Sequence, residues 1–361
     1  MYSVEFPKLG LEFVLNPVAF KIGTLEMRWY GIIIAVGFVL SLIYAFMRMK
    51  EFGIDSDRAI DVILGGAIGA LVCARAYFVI FKWSDYASDP IKALYVWEGG
   101  LAIYGGLIGA FVFGLIFCKL RKVRILPMFD LAGAGFLLGQ AIGRWGNFVN
   151  SEAFGSNTGL PWGMTGEKIV SYLTENKSVL SSMGITVDPN MPVHPTFLYE
   201  SLWCLIGFIL IAVYVKHRKF DGEIFLMYLC WYGFGRMLIE GLRTDSLMIG
   251  SIRVSQLLAA VLFIVSGIII LTVRSKIKRN NDPEYLKLYV NTEEAEMIRQ
   301  GTFYKKKGKK TEEFEIEQYE EDEDETDEAE QYDEDETDEP EDTEETSVET
   351  TEENTDETTE E

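Results

Sequence analysis

Seven runs of apolar residues follow one another through the first 275 positions, at about 26–47, 58–81, 98–118, 125–147, 195–215, 223–242 and 254–273. A helix needs roughly 20 apolar residues to cross the hydrocarbon layer of a bilayer. In lipid only a helix or a closed barrel satisfies its own backbone. The pattern therefore predicts an all-α integral membrane protein, a bundle of seven transmembrane helices. Gly65 and Gly69, Gly105 and Gly109, and Gly135, Gly139 and Gly143 recur at four-residue spacing. Each set forms a small-residue stripe on one helix face and predicts close helix packing.

The polar stretches divide the chain further. Residues 1–24 are mixed and predict an extracytoplasmic or interfacial segment ahead of a membrane domain over 25–275. The 148–194 connection contains Pro161, Trp162, Pro189 and Pro192 and is too long for a turn and too polar to span. It predicts a small extracytoplasmic head between helices four and five. Lys and Arg collect after segments one, three, five and seven, as in Arg48 and Lys50 or Lys119, Arg121, Lys122 and Arg124. By the positive-inside rule the N-terminus lies outside and the C-terminus in the cytoplasm. The expected location is a membrane that the chain crosses several times.

Composition changes the picture at one end only. Residues 311–361 hold 30 of the 55 acidic residues and none of the 33 basic ones, so residues 1–310 carry 33 basic against 25 acidic side chains, a net +8. A block of like charge cannot bury enough surface to fold, and 311–361 predicts a disordered acidic tail. Before it, 276–310 reads as a basic cytoplasmic juxtamembrane segment meeting anionic lipid; a tail folded back over that segment, or docking a partner, remains open. Cys73, Cys118, Cys204 and Cys230 all lie in apolar runs without a CxxC pair, which speaks against zinc and against a disulfide framework. The two histidines, His194 and His217, are too few and too far apart for the ligand set of a metal hydrolase.

Candidate chemistry gathers at one leaflet. Ionisable residues at membrane depth usually face a bundle interior or a wet cavity and mark a substrate path. Counted from the cytoplasmic clusters, Arg75, Arg144, Arg236, Glu240 and Arg243 fall in the outer halves of their helices, and the inward-running helices begin with Tyr30, Tyr104, His194, Tyr199 and Glu200. Asp130 lies about 21 Å below Arg144 on the same helix and reads as a helix-start residue favoured by the dipole. Arginine offers a planar fork suited to a phosphodiester and stays charged when partly desolvated. Glu240 stands four residues after Arg236 and three before Arg243, so one carboxylate can hold both; the trio can also be a purely structural ion network. Gly146 beside Arg144 lets backbone approach a ligand, and Asn147 and Asn150 add donors that cancel no charge.

The string Gly143-Arg144-Trp145-Gly146-Asn147-Phe148-Val149-Asn150-Ser151-Glu152-Ala153-Phe154-Gly155 resembles the signature GRxGNFxNxExxG of bacterial prolipoprotein diacylglyceryl transferases. Arg28-Trp29-Tyr30-Gly31, the Trp97 to Gly106 stretch, His194 to Glu200, and Tyr232 to Arg236 followed by Glu240 and Arg243 resemble four further motifs of that family, in order. The resemblance implies transfer of the diacylglyceryl group of phosphatidylglycerol to the lipobox cysteine of a prolipoprotein signal peptide, giving a thioether and glycerol phosphate. It implies no metal and no soluble cofactor; the bilayer is the other expected partner, and nucleic acid is not one. Arg144 and Arg236 are then assigned to the phosphate, with Asn147 and Tyr30 as donors beside Gly146, and Asn150, Glu152, Gly155, His194, Tyr199, Glu200, Tyr232, Glu240, Arg243 and Arg75 in support. Tyr104 stands where the family commonly has a histidine. A phenol is a poor base at neutral pH, so Tyr104 is expected to position the thiol or the head group. His194 can serve as the base or make a structural hydrogen bond. The competing reading is a transporter of an anionic solute or a lipid, which should show polar groups across the membrane depth.

Overall fold

The computed structural model describes residues 1–303 apart from Thr24, Trp97, Glu98, Ser251 and Asn281. The acidic tail, the basic run Lys305 to Lys310 and the first two residues of the Trp97 motif thus lie outside the described residues. All seven apolar runs are helices: α1 (Trp29–Arg48), α2 (Ser56–Phe81), α3 (Ile103–Leu120), α4 (Ile125–Asn150), α6 (Thr196–Tyr214), α7 (Glu223–Glu240) and α8 (Val254–Asn280), with α5 (Glu167–Glu175) between α4 and α6. Six are long and apolar enough to cross a membrane. The exception is α7, which carries Glu223, Arg236 and Glu240 and packs on α4, α6 and α8.

The bundle is built around α4, which touches α1, α6 and α7, while α2 pairs with α3 and α7 with α8. The glycine stripes serve this packing: a Cβ on Gly109 would overlap the Gly69 carbonyl, and one on Gly65 would lie 2.5 Å from the Phe117 ring. Ser41 donates to the Gly135 carbonyl at 2.8 Å across the α1–α4 contact. Away from the site, Met49, Phe52, Met128, Leu131 and Val215 close one end of the bundle as a continuous core.

The all-α expectation needs correction, because short antiparallel strands flank the helices. Strands β1 (Tyr2–Phe6), β2 (Leu11–Leu15) and β5 (Thr165–Gly166) form a sheet in the order β2-β1-β5, and β3 (Val18–Ile22) pairs with β4 (Leu25–Arg28). In β1 the buried residues alternate, Tyr2, Val4 and Phe6, which is the period of a strand. They share one apolar core with Phe154, Met164, Ile169, Leu173, Leu180 and Val193. The head therefore takes its core from both the N-terminal segment and the α4–α6 connection.

Two further features differ from expectation. Asp130 is fully buried and sits in the second turn of α4, where its carboxylate accepts from Gly222 N at 2.8 Å and Phe225 N at 2.9 Å. It caps the neighbouring helix α7, not its own. Past α8, the chain is not a simple basic tether: Tyr289 N donates to Asp221 at 2.8 Å, Arg124 pairs with Glu294, and Ala295, in the short helix α9 (Glu293–Arg299), is wholly buried against Gly53. This segment clasps the connections α1–α2, α3–α4 and α6–α7.

Candidate functional site

At the opposite end of α4 the helix closes with Arg144 and the asparagines. Glu200, in the second turn of α6 with its side chain 2% exposed, forms ion pairs with two arginines at once. One oxygen meets Arg144 of α4, and the other accepts from Arg236 of α7 at 2.8 Å. Tyr232 donates to the same carboxylate at 3.3 Å. Three helices thus converge on one buried carboxylate. Arg236 also pairs with Glu240 at 2.5 Å, a contact without hydrogen-bond geometry.

From Arg144 the network runs outward. Its Nη1 donates to Asn147 Oδ1 at 3.3 Å, and Asn147 donates in turn to Glu152 at 2.9 Å, where Asn150 adds a second bond at 3.3 Å. Glu152 reaches back because the helix ends at Ser151 in the left-handed region, φ 52°. Gly146 is required by Tyr30, whose ring would lie 2.7 Å from a Cβ there. Tyr30 is thereby held against α4 within electrostatic reach of Arg144 and Glu152.

Other expected residues are placed elsewhere. Glu240 pairs with Arg236 and, at 3.9 Å, with Arg243, as the spacing suggests, but two nitrogens of Arg243 bond more closely to Asp245, at 2.9 and 2.7 Å; Glu200 is a second carboxylate that holds two arginines. Asp245, two residues after Arg243, is a contributor that spacing on a helix could not reveal, since α7 has already ended. Gly155 is a joint: its N–H donates to the His194 carbonyl at 2.9 Å and a Cβ would lie 2.8 Å from the His194 side chain. His194 does not join the arginines. Its Nδ1 lies 3.1 Å from the Tyr199 hydroxyl, which also accepts from Trp162 at 2.7 Å, and burial holds its pKa below the ordinary value. Arg75 is spent on backbone, donating to the carbonyls of Lys92, Ala93, Gly99 and Gly100. It braces the loop that leads to α3. Tyr104, in the first turn of α3 and 40% exposed, makes no hydrogen bond with the arginine cluster among the described residues.

Two openings are lined by residues of the same elements. An apolar cleft of about 340 Å³ runs between α1, α4 and α6, lined by Trp29, Ile33, Val36, Ile142 and Trp145. On the head side a more polar groove of about 490 Å³ passes Glu152, Lys168, Tyr172 and Asp245. Half-buried guanidiniums held by carboxylates, with an apolar cleft on neighbouring faces of the same helices, can receive an amphiphile whose head is an anion.

The fold and site define a multi-pass helical membrane protein with an arginine–carboxylate centre at one end of its bundle. The family model described as prolipoprotein diacylglyceryl transferase matches residues 17–273, and the chain belongs to that family. A phosphatidylglycerol--prolipoprotein diacylglyceryl transferase of Limosilactobacillus reuteri (strain DSM 20016) is 44% identical over 279 residues, 76% of this chain and 96% of the relative. Proteins of the same name from Clostridium novyi (strain NT) and Staphylococcus aureus (strain Newman) are each 43% identical, over 74% and 78% of this chain and 98% and 96% of theirs.

Proposed function

We propose that the chain is the transferase that moves the diacylglyceryl group of phosphatidylglycerol onto the thiol of a prolipoprotein lipobox cysteine, the first step of lipoprotein maturation. The thiolate sulfur, its proton already given up to water, forms a bond to the glyceryl carbon, the carbon–oxygen bond to the phosphate breaks, and glycerol phosphate leaves with the electron pair. The observation that carries this reading is the Glu200 bridge between Arg144 and Arg236. Charge develops on the departing phosphate oxygen, and donors fixed beforehand stabilise it without reorganising. Arg144 and Arg236 face the phosphate, Asn147 and Tyr30 supply donors, and Gly146 makes room. Glu200, Glu240 and Glu152 hold the forks in place, while Asn150, Gly155, Tyr199, His194 and Tyr232 hold the surrounding frame. Tyr104 positions the incoming thiol, whose ionisation the arginine field favours. The apolar cleft beside Trp145 suits an acyl chain.

In this reading all seven long helices cross a bacterial cytoplasmic membrane. The head and N-terminal segment lie on the outer face, and Arg124, Asp221 and the segment after α8 lie on the cytoplasmic face. The catalytic domain is 25–275. The gathering of Arg144, Arg236, Glu200 and Glu240 in one network at the end of the bundle beside the head supports an enzyme over a transporter.

The experiment uses liposomes of phosphatidylglycerol, a lipobox peptide, and wild type beside Arg144→Ala, with thioether product followed by mass spectrometry. Product from wild type alone is expected. Product from both would break the arginine assignment, and product from neither, with folded protein, would revive transport.

A further inference from the structure

One helical turn deeper than Glu200, α6 and α7 are joined by two tryptophans that serve each other. Trp203 Nε1 donates to the Trp231 carbonyl at 2.9 Å, and Trp231 Nε1 donates to the Trp203 carbonyl at 2.9 Å. Their rings stack with centroids 4.3 Å apart and planes 13° from parallel. Each ring lies over a glycine of the opposite helix, Trp203 on Gly235 and Trp231 on Gly207, and a Cβ at either position would overlap the indole nitrogen. In each helix the glycine follows the tryptophan by four residues. Two antiparallel helices therefore present the same Trp-x-x-x-Gly surface to one another.

The glycines have a chemical purpose here. A carbonyl inside a helix already accepts from the N–H four residues on, but it has a second lone pair. That lone pair is ordinarily covered by the side chain four residues on; with glycine there, the indole N–H can reach it. The pair is also sensitive to register. Sliding α6 along α7 by one residue, about 1.5 Å, breaks both bonds and drives each ring onto a neighbouring Cβ. At the register this pair allows, Glu200 stands opposite Tyr232 and Arg236.

We propose that the Trp203–Trp231 pair is a positioning device for the transfer reaction, setting the α6–α7 register at which one carboxylate, Glu200, reaches both Arg236 and Arg144. The inference rests on the transferase reading given above. Neither tryptophan touches the lipid phosphate; both act through Glu200 and Arg236.

The test replaces each tryptophan singly and together by phenylalanine, with activity per folded molecule measured in phosphatidylglycerol vesicles. A misplacement of 1 Å can cost on the order of 100-fold in rate, so each single variant is expected to lose about tenfold in kcat. The KM for the lipobox peptide should stay within about twofold of wild type, as expected when only the transition state is affected. The double variant should be little worse than either single one, because losing one bond slackens the other. Each variant should also lose the far-ultraviolet exciton couplet of a stacked indole pair. Should a phenylalanine variant fail to fold, 3-benzothienylalanine at the same position keeps the shape of indole without its N–H and should show the same fall. A merely structural pair would lower the thermal midpoint and leave kcat per folded molecule unchanged. Unchanged kcat in the single variants, or a loss that appears wholly as raised KM, overturns the proposal. Wild type in the same vesicles separates the two readings: no product there sinks the transferase, whereas product there with unimpaired variants sinks only the positioning pair.

Discussion

Replacing Glu200 by glutamine removes a charge while keeping the shape, and the consequences can be worked from the contacts. The carboxylate is 2% exposed and pairs with Arg144 and with Arg236, the latter at 2.8 Å. Unit charges about 4 Å apart attract by roughly 4 kcal/mol at an effective dielectric constant near 20. Removing one partner of a buried pair costs about 3–5 kcal/mol because the other is left uncompensated. Glu200→Gln leaves Arg144 without a carboxylate while Arg236 keeps Glu240, and both arginines are partly exposed, so the destabilisation belongs at the lower end of that range. Turnover suffers separately, since both forks lose the group that aims them. Loss of one preorganised contact in such a site costs about 10² to 10³ in kcat, and at least 100-fold in kcat/KM is expected here. Glu240→Gln touches Arg236 alone at close range, with Arg243 at 3.9 Å, and should cost only about tenfold, or 1.4 kcal/mol. The assay is thioether formation in phosphatidylglycerol vesicles, normalised to folded protein. Glu200→Gln within about threefold of wild type, or Glu240→Gln the more damaging of the two, would refute the view that Glu200 organises the site.

Arg144→Lys keeps the charge but not the fork, and should lose about 100-fold in kcat/KM because a point ammonium cannot meet Glu200, Asn147 and a phosphate together; near-normal turnover would remove the need for a planar donor. Tyr104→Phe should raise the peptide KM several-fold and leave the dependence on phosphatidylglycerol untouched, and wholly unchanged kinetics would take the hydroxyl out of the mechanism. His194 gives a pH dependence of stability whose sign follows from burial. Its folded pKa lies below the unfolded value near 6.5, so the unfolded chain binds the extra proton first and stability falls as pH drops below about 6.5. The thermal midpoint of wild type should decline between pH 7.5 and 5.5, and His194→Gln should reduce that decline; an equal decline in both would assign the effect to other groups.

How far the site could be read from the chain depends on the range of the interaction. The seven helices were legible because an apolar run of that length has few alternatives in lipid, and the glycine stripes because their period is that of a helix. The strand β1 was missed: five residues with a two-residue period are a weak signal beside seven helices of 18 to 27 residues. Local spacing put Glu240 between Arg236 and Arg243, and that geometry does exist on α7, yet Arg243 turns to Asp245 just past the helix end. Glu200 lies 36 residues from Arg236 and 56 from Arg144, so only the meeting of α4, α6 and α7 shows that it bridges both. Asp130 shows the same limit from the other side. Its chemistry, a carboxylate at a helix start, was correct, but the helix is α7, reached across 92 residues. Residue types at membrane depth announce that a polar site exists; which group partners which is decided by helix register, and for α6 and α7 that register is fixed by two tryptophans that carry no charge at all.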